Sequence, residues 1–291
     1  MSVKFSFKFL GKAKRILEAE DNGFKLEGAN NSAVILIHGL TGSPNEMLFL
    51  AKSLNKNGYS VVCPRLANHG QPIEILKKTT WQDCYESARR AFLEISTAKA
   101  AVYVSGLSMG ALLALLLAEE FPGKVSGISC LSPTLFYDGW NMPWSKFFLP
   151  LAYITPLKYI SYFKEEPPYG IKNEALREYV HKYYSKAVLA DTTKASSYGY
   201  PYFPVTLLYQ LHLLVKYLNK KLPRVTAPVQ FIQAKEDDMT SVKNSEFIYD
   251  RIASKQKEMV LLYNSYHVIT VDQEREKVAQ EMERFFGECA R

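Results

Sequence analysis

Cysteine is scarce in this chain, at four residues in 291, and none of the four has a partner at metal-binding or redox-motif spacing. Cys63, Cys84, Cys130 and Cys289 stand far apart, three of them in apolar surroundings where a free thiol behaves as a small hydrophobe. A disulfide scaffold is excluded, and a reducing, cytoplasmic setting is expected. No secretory leader is legible, because charges break up the N-terminal apolar residues. Long apolar runs are missing too: FFLPLAYITPL at 147–157 is interrupted by Pro150 and Pro156 and is too short to span a bilayer. No Gly-x-Gly-x-x-Gly or other phosphate-cradling loop occurs, so no nucleotide cofactor is expected. No His/Cys/carboxylate cluster has metal spacing, so no metal is expected either.

Carboxylates are absent from the first seventeen residues, which hold Lys4, Lys8, Lys12, Lys14 and Arg15. That segment carries most of the chain's formal net charge of +7. It reads first as a solvated basic strand. Phe5, Phe7, Phe9 and Leu10 interleave with the cations, which also fits a weak peripheral contact with anionic lipid. Nucleic acid is not an expected partner, because no recognition motif accompanies the charge.

What the sequence does contain is an ordinary globular balance, 47% hydrophobic and 22% charged. AVILIH at 33–38 is a continuous apolar run, as a strand buried on both faces requires. It is followed by a loop, HGLTGS, and by a helical pattern at 45–57 closed by Gly58. Strands at 59–64, 101–106 and 124–132 alternate with helices at 81–96 and 109–121. This α/β rhythm predicts an open, mostly parallel sheet with helices on both faces. Loops at the carboxyl ends of its strands would gather the chemistry.

The rhythm breaks near residue 134. Thirteen of the nineteen tyrosines fall between Tyr137 and Tyr217, with helical pieces at 174–187 and 205–219. Alternation resumes with a strand at 227–234, a helix near 241–253, a strand at 258–263 and a closing helix at 272–286. The expected organisation is one α/β core, residues 1–133 and 226–291, interrupted by a helical, aromatic-rich insertion at 134–225.

VYVSGLSMGAL at 102–112 places Ser108 between Gly106 and Gly110, after a β-branched strand and before a helix. Gly-x-Ser-x-Gly in that setting is a nucleophile elbow. The serine takes a cramped turn, and glycines two residues away on either side avoid collisions with the neighbouring strand and helix. A serine hydroxyl needs a base, and the base needs an orienting carboxylate, in the chain order Ser, acid, His. His38 and His69 precede the serine, and His181 and His212 lie in the insertion. His267 follows a late strand, where the base belongs. QFIQAKEDDM offers Glu236, Asp237 and Asp238, and Asp237 is the choice from its distance to the small residue ending the strand, with Asp238 in reserve. The oxyanion of a tetrahedral intermediate needs two backbone amides, here Met109 and, from HGLTG, Leu40.

ILIHGLTGSPNEM, GYSVVCPRLANHG and TTWQDCYESA, with GLSMGA, QAKEDDM and NSYHVITVDQE, resemble the bacterial carboxylesterase and monoacylglycerol-lipase branch of the α/β-hydrolases. The resemblance covers about 35–133 and 227–286. It implies an α/β-hydrolase fold with a cap, the triad Ser108, Asp237 and His267, and oxyanion donors at Leu40 and Met109. Ala111 stands where the family often has glycine, and the insertion is longer and more aromatic than a compact cap. The expected activity is hydrolysis of a lipophilic carboxylic ester, a monoacylglycerol or similar short- to medium-chain ester, with an apolar tunnel in the insertion. A thioesterase, acyltransferase or aminopeptidase could use the same triad. For a peptidase, Glu165 or Glu166 would have to hold the free amine. A catalytically silent scaffold is the reading from another class.

Overall fold

Ala33, Ile35 and Ile37 point to one face of their strand and Val34 and Leu36 to the other, and all five are fully buried. That split organises the whole molecule, because each face of the sheet carries its own apolar cluster. The computed structural model describes residues 17–19, 23–189 and 199–290, with backbone alone at 17–19 and 185–189. The basic, phenylalanine-bearing stretch with its expected lipid contact lies outside the described residues.

The strands are β1 (Leu17–Ala19), β2 (Gly23–Leu26), β3 (Ser32–Ile37), β4 (Ser60–Pro64), β5 (Ala101–Leu107), β6 (Val125–Leu131), β7 (Tyr162–Lys164), β8 (Tyr202–Pro204), β9 (Val229–Ala234) and β10 (Lys257–Leu262). Eight of them form one sheet in the order β1-β2-β4-β3-β5-β6-β9-β10. Pairing is antiparallel among β1, β2 and β4 and parallel from β4 to β10. The chain leaves β3 toward β4 on one side and returns to β5 on the other. The loops after β3 and β5 therefore diverge, opening a crevice at the carboxyl ends of these strands.

The helices are α1 (Leu48–Lys56), α2 (Ile73–Leu76), α3 (Trp81–Ser96), α4 (Met109–Glu120), α5 (Leu149–Ile154), α6 (Glu174–Leu189), α7 (Val205–Asn219), α8 (Lys243–Tyr249) and α9 (Arg275–Cys289). On one face Leu50 and Leu54 of α1 meet Phe285 and Phe286 of α9. On the other, α3 and α4 pack with Leu207, Leu211, Leu214 and Leu218 of α7. Residues 109–119 of α4 are all buried, as a helix apolar all round requires. A fully buried leucine there contributes roughly 1.5–3 kcal/mol. The amphipathic α3 starts on a capping box, in which Thr80 and Asp83 satisfy one another's backbone amides at 3.2 and 2.9 Å.

Between β6 and β9 the chain forms α5, α6, α7 and the small antiparallel pair β7–β8. The three-residue strands β7 and β8, and β1 and β2 at the sheet edge, were not legible in the sequence pattern. No helix among the described residues is long and apolar enough to cross a membrane.

Candidate active site

Ser108 joins β5 to α4 with φ 57° and ψ −115°, a left-handed backbone conformation that a non-glycine residue rarely adopts. The flanking glycines explain how the turn closes. A Cβ on Gly106 would lie 2.2 Å from the Gly110 carbonyl, and one on Gly110 would lie 2.2 Å from the Ile37 carbonyl of β3. Ser108 is held from below by its own amide, which donates to Leu131 O at 2.8 Å.

Asp237 sits just past β9, almost wholly buried. Its oxygens lie 2.9 and 3.1 Å from Nδ1 of His267. Four further donors hold the carboxylate: the amides of Met239 and Thr240, at 2.9 and 2.8 Å, the Gln233 side chain at 2.8 Å and the Thr240 hydroxyl at 3.1 Å. Asp238 turns elsewhere, accepting from the amides of Gly170 at 3.1 Å and His267 at 3.3 Å. It ties the histidine loop to the segment before α6 without touching the ring. Asp272 completes that tie, accepting from the amides of Lys172, Asn173 and Tyr266 at 2.8, 2.9 and 2.8 Å. Burial pushes His267 down. The charge and hydrogen bond of Asp237, with the charges of Asp238 and Glu46, outweigh it and hold the imidazole above its ordinary value.

Ser108, His267, Gly39 and Leu40 line one cavity of about 120 Å³. Within it the serine hydroxyl hydrogen-bonds Thr134 Oγ1 at 2.8 Å. Leu40 N–H makes no hydrogen bond among the described residues. Met109 N–H opens the first turn of α4, where no intrahelical partner exists. The peptide after Leu40 is braced by His69 Nε2, which donates to Leu40 O at 2.8 Å. His38 lies edge-on to His69 at 4.8 Å and bonds Leu66 N and Gly39 O, so this pair shapes the loop rather than reaching the serine. His181 is exposed, with Nδ1 2.7 Å from the Tyr169 hydroxyl, and His212 rests on Tyr153.

Two residues at this site escaped the sequence reading, Thr134 and Glu46, and a third, Glu165, takes a place the sequence had not given it. Thr134 comes from LSPT just past β6, and its only advance signal was its place after a parallel strand. Glu46 lies in the short turn of 3₁₀ helix after the HGLTG loop, and Oε1 accepts from the Gly39 amide at 2.5 Å. Burial raises its pKa to about 7 against the opposing pull of the Gly39 amide and of His267. Glu165, weighed earlier as an amine holder, lines the cavity and is raised by burial to about 8, with Tyr184 as its hydrogen-bond partner. Near neutral pH it is largely an uncharged acid. Glu166 is exposed.

The charges in this cavity dictate a pH profile. A base must be neutral to accept a proton, so with His267 in that role activity would rise with pH through its elevated pKa. Glu46 titrates around pH 7, so above it a negative charge lies beside the Gly39–Leu40 loop. Glu46→Gln keeps an acceptor for Gly39 and removes the charge. Its expected profile is broader on both sides: the acid limb moves to lower pH, because one cause of the raised imidazole is gone, and the alkaline decline flattens. Measurement of kcat/KM with a soluble ester from about pH 5 to 9 checks this, and an unchanged profile contradicts it.

A second cavity, of about 780 Å³, shares Tyr137, Glu165, Tyr169, Phe203 and Met239 with the first. Its remaining wall is mostly apolar, including Phe148, Leu149, Leu151 and Leu157 from the segment around α5.

A family model described as serine aminopeptidase, S33, matches residues 28–274. A thermostable monoacylglycerol lipase of Bacillus sp. (strain H-257) is 29% identical over 257 residues, spanning 88% of this chain and 91% of its own. A carboxylesterase of Bacillus subtilis (strain 168) is 25% identical over 268 residues, spanning 90% of this chain and 94% of its own. A solved structure from work on LipS and LipT, two metagenome-derived lipolytic enzymes, superposes with a TM-score of 0.74 at 27% identity, covering 91% of this chain and 97% of that one.

Proposed function

Because the chain belongs to the serine aminopeptidase S33 family, in the carboxylesterase and monoacylglycerol-lipase branch of the α/β-hydrolases, we propose that it cleaves esters of lipophilic acyl groups through an acyl-enzyme on Ser108. The observation that carries this reading is the meeting, in one cavity, of a strained serine and a histidine backed by Asp237, with a larger apolar cavity sharing its walls. The larger volume lies within the range of about 300–1,000 Å³ typical of small-molecule pockets.

In this mechanism the serine hydroxyl swings from Thr134 to His267 Nε2, which takes its proton as Oγ attacks the ester carbonyl. The carbonyl oxygen becomes an oxyanion held by the amides of Leu40 and Met109. Asp237 stabilises the imidazolium, which then protonates the departing alcohol. Water repeats the sequence: His267 takes its proton, the hydroxide attacks the acyl carbonyl, and Ser108 Oγ leaves with the proton returned. Residues 134–225 act as the cap over the core of residues 1–133 and 226–291, enclosing the acyl chain in the larger cavity. A monoacylglycerol or similar short- to medium-chain ester fits this arrangement, and the monoacylglycerol lipase relative supports it. A cytoplasmic setting fits four free thiols, three of them buried.

The family's peptidase description makes Glu165 the residue to weigh against this reading. A largely neutral acid offers a hydroxyl to a polar head group more readily than a charge to an ammonium. A panel of p-nitrophenyl esters, monoacylglycerols, acyl thioesters and aminoacyl-p-nitroanilides separates the possibilities. The expected result is kcat/KM at least about 100-fold higher for esters than for anilides, with one fluorophosphonate label, on Ser108. Preference for the anilides overturns the ester assignment.

A further inference from the structure

The strand end beside the nucleophile carries two costs. Ser132, the first residue past β6, has φ 43°, in the left-handed region that a non-glycine residue rarely adopts. Its hydroxyl is buried without a hydrogen-bond partner among the described residues. Backbone strain of this kind persists only where the surroundings over-determine it, and it gathers at active sites. Here the turn delivers Thr134. Pro133, with its φ fixed by the ring, stands between the two. On the far side the amides of Leu135 and Phe136 both donate to Asn244 Oδ1, at 2.8 and 2.9 Å. Asn244 Nδ2 donates to Asp138 Oδ1 at 3.0 Å, and Asp138 also accepts from the Ser241 amide at 2.7 Å. Thr134 is thus clamped from both sides, and it is fully buried.

The clamp presents one polar group, a hydroxyl 2.8 Å from Ser108 Oγ. The other acceptor within reach of that hydroxyl, Ser132 O, stands at 3.4 Å. Either hydroxyl can donate in the shorter contact. Once the Ser108 O–H turns to His267, the Thr134 O–H takes over as donor to Oγ.

That donor matters differently in the two halves of the reaction. Before acylation the bond between the two hydroxyls already exists, so it favours ground state and transition state alike and gives little acceleration. In the acyl-enzyme Oγ is an ester oxygen, a weak acceptor whose lone pair is delocalised into the carbonyl. Deacylation begins as water gives a proton to His267 and its oxygen adds to the acyl carbon. The bond from that carbon to Oγ then breaks, its electron pair goes to Oγ, and the imidazolium returns the proton to the same atom. While negative charge builds on Oγ, a hydrogen bond from Thr134 strengthens, since bonds to charged acceptors are roughly twice as strong as neutral ones. Thr134 keeps its own proton throughout. We infer that Thr134 is a catalytic residue of deacylation, its hydroxyl stabilising Ser108 Oγ as the leaving group. The inference rests on the acyl-enzyme reading above.

The experiment uses the full chain, as wild type and as Thr134→Val, Thr134→Ala and Thr134→Ser, with p-nitrophenyl butyrate. Steady-state kcat and KM are measured beside the decay of the acyl-enzyme, followed by intact mass after a rapid pulse of ester. The expected result is decay at least about tenfold slower in Thr134→Val, with kcat and KM falling together so that kcat/KM stays within about threefold of wild type. Thr134→Ser, which restores the hydroxyl, decays at close to the wild-type rate. Thr134→Ala also lacks the hydroxyl and reads the same step should the valine lower Tm. Unchanged decay in both hydroxyl-free variants overturns the proposal, as does decay in Thr134→Ser as slow as theirs. A kcat/KM that falls as far as kcat makes the role structural, and a kcat/KM that rises makes the contact a resting latch on the nucleophile; either result overturns it. Failure of the underlying reading is distinct, because the wild type would then form no acyl-enzyme on Ser108.

Discussion

Ser108→Ala lowers kcat for ester hydrolysis by about 10⁴- to 10⁶-fold and leaves the fold intact. The alanine keeps the backbone of the elbow and loses only the hydroxyl, whose contact is the 2.8 Å bond to Thr134. Asp237→Asn is the informative companion. Asparagine retains the shape but presents an N–H toward His267 Nδ1 or loses the ionic partner, favouring the wrong tautomer and leaving the imidazolium unsupported. A loss of about 10⁴-fold is expected. The double variant is scarcely worse than Ser108→Ala alone, because residues acting as one unit are non-additive. Steady-state kinetics with thermal melts test all three. Additive losses, or substantial turnover without the hydroxyl, would remove Ser108 from the chemistry.

The second large effect concerns the fold. Gly110→Ala sets a methyl group 2.2 Å from Ile37 O and 2.8 Å from His38 O, backbone atoms at and just past the end of β3. Neither can retreat without breaking the parallel pairing of β3 with β5. Destabilisation of about 3 kcal/mol or more is expected, at or above the upper end of the usual overpacking cost, because the colliding atoms are backbone. Gly287→Ala is the control: no atom lies within 4 Å of its Cβ position on α9, and gain in helix propensity of up to about 1 kcal/mol is expected. Denaturant titration of the two variants checks both values. Wild-type stability in Gly110→Ala contradicts the collision argument.

The α/β layout was legible because periodicity is a local property. AVILIH, AVYVSG and the leucine-rich run after Ser108 declare buried elements without reference to the rest of the chain. Helices 81–96 and 205–219 fall where their apolar spacing puts them. Motif and chain order singled out Ser108, Asp237 and His267, and the structure places Asp237 2.9 Å from His267 and both Ser108 and His267 in one cavity. The contacts of Thr134 and Glu46 were not, since a threonine 26 residues from its hydroxyl partner and a glutamate tucked under a loop leave no spacing signature. The aromatic insertion shows the deeper limit. Composition is the same whether an apolar side chain lines a tunnel or faces outward. Only the path of the backbone separates Leu149, which lines the cavity, from Ile154, which is exposed. Short strands such as β7 and β8 escape for a related reason, because three residues cannot establish a period.

The packing of α7 limits how the insertion can be exchanged. Its leucines are interlocked with α4 in the same apolar cluster that holds the sheet together. Transplanting the whole of residues 134–225 from a relative would tear out part of the scaffold along with the walls of the larger cavity. A chimera that splices ahead of Val205 would preserve this keystone and change only the upstream stretch.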